Sequence, residues 1–127
     1  MDGVTHGNAA TDGRTNRSWI VGWYVEEDPL RRTNDVEIKW ALHKPGESNG
    51  SFATDTVARY LSILVRGNFR LQFRHGDHIE EVRLKNEGDY CLWQHGVEHA
   101  WFADGPEDAL VLTVRWPSLP VKQIERQ

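Results

Sequence analysis

The sequence predicts an all-β domain, a sandwich or barrel of jelly-roll type. Three observations predict it. Short apolar segments recur along the chain, parted at intervals of roughly 8 to 12 residues by turns built on Gly. No window holds a sustained helical period, and no internal repeat is present. The 127 residues suffice for one core and one domain.

Residues 1–17, made mostly of Gly, Asn, Thr, Asp, Arg and Ser, bury too little apolar surface to offset the entropy of ordering. They read as a flexible leader to a domain at 18–120, which is followed by a short tail at 121–127. Residues 18–25 form the first strand. Their apolar side chains fall on both faces, so cover must come either from the second sheet or from another subunit. A charged loop with Pro29 fills 26–34. Residues 35–43 then alternate, with Val36, Ile38, Trp40 and Leu42 on one face and Glu37, Lys39, Ala41 and His43 on the other. Turn chemistry follows at 44–50. A hairpin spans 60–73 around Gly67, a turn at His75 and His78 leads to a short strand at 79–85, and a further turn closes at Asp89. The next strand leaves through His95 and Gly96, and the last two occupy 99–103 and 109–116.

A net charge of −4 and a pI near 5.8 exclude a general nucleic-acid binder, which needs a basic face to neutralise phosphates. The single cysteine, Cys91, lies in an apolar strand and reads as a small buried residue. No run approaches the roughly 18 apolar residues of a membrane span, and no signal-peptide order opens the chain. A cytoplasmic protein without a membrane partner is the expectation. No Gly-rich phosphate loop or nucleophile elbow is present.

Residues 88–99 run Gly, five residues, Gln94, one residue, Gly96, two residues, His99. This resembles the second motif of the cupin superfamily, in which Pro usually stands at the Gln94 position. The first cupin motif has two His separated by one residue, then a Glu, then a Gly seven positions beyond it. Here the strand and the turn at Gly67 are kept, but Tyr60 stands at the Glu position. Ala53 and Asp55, or Thr54 and Thr56, stand at the His positions. The resemblance covers roughly residues 36–117 and implies a single-domain cupin β-barrel of the jelly-roll kind, with His99 directed inward. It also implies a homodimer built through the N-terminal strand.

In metal-binding cupins the residue matching His99 is a ligand. With His43 and Asp55 it would make a two-His, one-carboxylate site for one divalent ion, Zn, Fe, Ni or Mn. The other reading is a pocket His held by hydrogen bonds, with no cofactor. The cupin register and strand alternation predict a pocket wall of Tyr60, Ser62, Leu64, His99 and Trp101, with Trp40 and His43 near its rim. Arg59, Leu61, Ile63 and Val65 would lie behind. Tyr60 and His99 are the expected catalytic pair. Arg70 and Arg115 are further anion-holding candidates, although either can instead lie on a solvent face. Trp93 and Trp116 are expected to pack in the core. The implied function is binding of a small molecule by a metabolic or biosynthetic enzyme of isomerase, oxygenase, lyase or natural-product type. The alternative is a ligand-binding or regulatory cupin without chemistry.

Overall fold

The computed structural model describes residues 2–120. Eight strands follow the expected order: β1 (Trp19–Val21), β2 (Glu37–His43), β3 (Arg59–Arg66), β4 (Phe69–His75), β5 (His78–Leu84), β6 (Tyr90–Trp93), β7 (Glu98–Ala103) and β8 (Ala109–Trp116). They form two antiparallel sheets, ordered β1-β2-β8-β3-β6 and β5-β4-β7. Between them lies a core of Leu64, Val111 and Ala109 from the larger sheet against Phe69, Leu71, Phe73, Leu84 and Ala103 from the smaller. The molecule is thus a jelly-roll sandwich, as the alternating segments and Gly turns predict. Among the described residues no helix is long and apolar enough to cross a membrane.

The β3–β4 turn depends on Gly67 for two reasons. Its φ is +93°, and an added Cβ would stand 2.5 Å from the Asp108 carbonyl oxygen and 2.7 Å from Ala109 Cα. Gly96, which reverses the chain before His99, has φ +84° with open space around it, so only the backbone conformation demands glycine there.

The N-terminal segment, expected as a flexible leader, carries local structure. Ala9–Asp12 form one helical turn, α1, capped by the Asn8 side chain, which accepts from the Thr11 N–H at 3.2 Å. Arg14–Asn16 continue as a 3-10 turn. The polar groups find partners in the loop after β1: Thr5 donates to Asp28 at 2.6 Å, Thr15 to Glu27 at 3.1 Å, and Arg31 Nη2 donates to the Asp12 carbonyl at 3.3 Å. These are hydrogen bonds between distant positions rather than apolar burial, so composition does not announce them. The first strand is also shorter than expected. Trp19 of this strand is buried, while Ile20 and Val21 are half-buried. The tail at 121–127 lies outside the described residues.

Candidate functional site

The inner face of the larger sheet is graded from polar to apolar. Strand pairing sets Glu37, Arg115, Tyr60 and Trp93 in one row across β2, β8, β3 and β6. Trp19, Lys39, Thr113, Ser62 and Cys91 form the next row, and Ala41, Val111 and Leu64 the third. The apolar end packs as core. The polar end, opposite His99 and Trp101 of β7, encloses a small cavity of about 40 Å³. Its lining includes Lys39, His43, Tyr60, Ser62, His99 and Arg115.

Arg115 is the centre of the polar rows. It is only 4 % exposed, donates from Nη2 to Glu37 at 3.1 Å and from Nη1 to the Tyr60 hydroxyl at 3.3 Å, and lies 4.1 Å from the Trp19 ring centroid. Glu37, fully buried, also accepts from the Tyr24 hydroxyl at 3.0 Å. Burial raises the Tyr60 pKa, Arg115 opposing and Asp55 adding to the rise, so the phenol stays protonated. Burial pulls the Lys39 amine down to about 8, and the charges of Arg115 and Arg17 act in the same direction.

His99 is held from two sides. Its backbone exchanges two 2.8 Å hydrogen bonds with Ala53, while the Asp55 carbonyl accepts from the Gly96 N–H at 2.8 Å. The positions matching the first-motif histidines therefore do lie beside His99, but they carry Ala and Asp. The His99 ring packs on Tyr60 and Trp93, with centroids at 4.8 and 5.1 Å, and Nδ1 lies 3.5 Å from the Val97 carbonyl. Burial lowers its pKa to about 4; the Val97 and Asp55 contacts oppose this and Arg115 reinforces it. His43 stacks on Phe69 and packs at a tilt against Trp101, and burial with the Lys39 charge likewise lowers it to about 4. Both rings are neutral near pH 7.

Tyr60, Ser62, His43, His99 and Trp101 thus meet in the cavity. Leu64 does not line it; it is 1 % exposed in the apolar core, one row farther along β3. Trp40, expected near the rim, does not line the cavity. The apolar face of β2 (Ile38, Trp40, Leu42) points away from the cavity, and the polar face of Glu37, Lys39 and His43 points in. Leu42 is 49 % exposed. Arg70 pairs at the surface with Glu81 and Asp104. Trp93 packs against the core as expected but also lines the cavity. Sequence reasoning passed over Lys39, Trp19 and Thr113. The signal was present in the Glu-x-Lys alternation of β2, since polar residues facing inward mark a site rather than a core.

The proposed ligand set of His43, Asp55 and His99 does not fit a divalent ion. Among the described residues no three His, Cys, Asp or Glu side chains converge for one. Two cationic side chains, Lys39 and Arg115, line the same cavity and repel a metal cation. Asp55 instead uses Oδ1 to accept from the backbone N–H groups of Val57 and Ala58, both at 2.8 Å.

A larger groove of about 540 Å³ opens where edge strands β5 and β6 part, lined mainly by apolar side chains such as Phe73, Val82 and Leu92. It gathers none of the groups with displaced pKa except Cys91, whose thiol is raised by burial. The small cavity is therefore the candidate site, because chemistry needs convergent groups more than volume.

No protein-family model matches the chain, and no curated protein sequence matches it. Solved structures do. An uncharacterized conserved protein with a double-stranded β-helix domain from Klebsiella pneumoniae superposes with a TM-score of 0.63 at 20 % identity, over 80 % of this chain and 71 % of its own. KdgF from Halomonas sp. gives 0.59 at 22 %, over 69 % and 74 %. A cupin-2 domain containing protein from Shewanella frigidimarina gives 0.51 at 19 %, over 65 % and 72 %. At these identities the likeness is one of fold.

Proposed function

We propose, for a chain that has the cupin fold, that the cavity between its sheets binds a small organic molecule and that the protein is an enzyme acting on it through His99. The observation that carries this reading is the convergence of His43, His99, Tyr60 and Lys39, all displaced from their ordinary pKa values, in one cavity walled by aromatic rings. Displaced groups gathered in a cleft characterise active sites, whereas a packed core has no use for them. The tautomer that donates Nδ1–H to the Val97 carbonyl, 3.5 Å away, leaves Nε2 of His99 its lone pair to take a proton from the bound molecule. Tyr60, held protonated with its hydroxyl engaged by Asp55 and Arg115, packs on the His99 ring and positions it. Proton transfer at a small molecule is isomerase or lyase chemistry and asks nothing of the unsuited metal donor set. The second reading, binding without chemistry, draws on the ligand positions occupied by Ala53 and Tyr60.

The test is a thermal-shift screen of carbohydrates, organic acids and amino acids, with each stabilising compound then followed by NMR for conversion. At least one compound is expected to bind and be converted, with kcat falling roughly 100-fold or more in His99→Gln, the low end of what a general acid–base contributes. Binding without conversion in the wild type would favour the non-catalytic reading. No bound compound at all would end both.

A further inference from the structure

Resting on the reading of this cavity as a binding site, we propose that Lys39 and Arg115 form a carboxylate-binding subsite within it. The ligand is then a small organic acid or presents a carboxylate end to the cavity.

The two cations flank one indole. Lys39 Nζ lies 5.5 Å from the Trp19 ring centroid and the Arg115 guanidinium 4.1 Å. Their charges are not balanced alike. Arg115 is paired with Glu37, which the Tyr24 hydroxyl also engages. Lys39 has no ion pair or hydrogen bond among the described residues, and its ammonium lies over the face of Trp19. A largely buried ammonium without a counter-charge is costly, and an anion bound beside it offsets that cost.

Donors are also left over. Arg115 Nε is buried and has no hydrogen-bond partner among the described residues, although both terminal nitrogens are engaged. Thr113 pairs in register with both Lys39 and Ser62, and its hydroxyl lies 3.0 Å from that of Ser62. Whichever hydroxyl accepts in that bond keeps its own proton for a ligand. An ammonium, a guanidinium N–H and a hydroxyl lining one cavity make a donor set for an acceptor-only group.

Size narrows the class. A cavity of about 40 Å³ holds roughly three water-sized groups at 10–15 Å³ each, which is a carboxylate and its α-carbon rather than a sugar ring or nucleotide. Phe69, Leu71 and Trp101 supply an apolar wall for the organic remainder.

The experiment titrates acetate, its uncharged isostere acetamide, and inorganic phosphate into wild type, Lys39→Met and Lys39→Arg at low ionic strength. It is read by the fluorescence of the cavity tryptophans and by melting temperature. Acetate is expected to bind wild type saturably, at least tenfold more tightly than acetamide or phosphate. Lys39→Met should lose at least tenfold in acetate affinity while melting higher than wild type in anion-free buffer, because the unpaired charge is gone. Lys39→Arg should keep acetate affinity within threefold. If Lys39→Met melts lower, a structural role for the amine replaces the subsite. Equal binding of acetate and acetamide, tighter phosphate binding, or full acetate affinity in Lys39→Met also overturns it. If neutral compounds from the screen bind while acetate does not, only the subsite falls. If nothing binds, the reading of the cavity falls with it.

Discussion

Strand β2 has two faces, and they are reversed from the usual arrangement. Its inner face carries Glu37, Lys39, Ala41 and His43, and its outer face Ile38, Trp40 and Leu42. A strand that merely covered a core would turn these residues the other way. The inward polar face makes sense only as part of a network. Glu37 is matched by Arg115 in the neighbouring strand, and His43 packs against Phe69 and Trp101 from elements of the other sheet. Solvation of the outer face costs apolar exposure, while burial of the inner face costs desolvation, and the molecule accepts both to gather ionisable groups in one place.

The sharpest way to break this contrast is at the buried pair. Arg115→Met removes the cationic partner of the buried Glu37 carboxyl and is expected to lose about 3–5 kcal/mol in urea unfolding. The double variant Glu37→Gln with Arg115→Met should recover most of that loss. A double variant no more stable than the single one would show that Arg115 acts through packing on Trp19 rather than through charge.

Acid distinguishes the faces next, because the outer face of β2 has nothing to titrate. His43 and His99 are each lowered from about 6.5 to about 4. Between those values the unfolded chain binds protons that the folded chain refuses, so stability falls as the pH drops from 6.5 to 4 and is unaffected by these groups above 6.5. The loss is on the order of 2–3 kcal/mol for each ring. Unfolding midpoints measured across that window should flatten in His43→Gln and His99→Gln. An unchanged slope in both would mean that the rings are more open to water than their burial indicates.

The smallest effect on stability is expected outside. Leu42→Lys and Leu92→Lys, at positions 49 % and 55 % exposed, should each change unfolding free energy by no more than about 0.5 kcal/mol. Mass is where they should act. We propose a homodimer, expected on the sequence through the N-terminal strand, that also engages the exposed Leu42 and Leu92 of this outer face. Light scattering should give twice 14.6 kDa for the wild type and 14.6 kDa for the variants. A wild-type monomer at high concentration removes the dimer.

The sequence by itself determined the strands, the Gly67 hairpin and the Gly96 reversal, because these rest on local alternation and on backbone conformations that only glycine adopts easily. It also determined that Tyr60, Ser62 and His99 face one another, because the spacing around two turns carries that register. Only the tertiary structure decided which face of β2 turns inward. Alternation has a period of two and is unchanged when the strand is flipped, so hydrophobicity alone favours the wrong side. The choice is made by partners far away in the chain. Arg115 meets Glu37 across 78 positions, and Thr113 stands between Lys39 and Ser62. Energies that depend on such pairs exist only once the sheet has formed, and that is why the sequence offered Arg115 as an anion-holding candidate without joining it to Lys39 in one site.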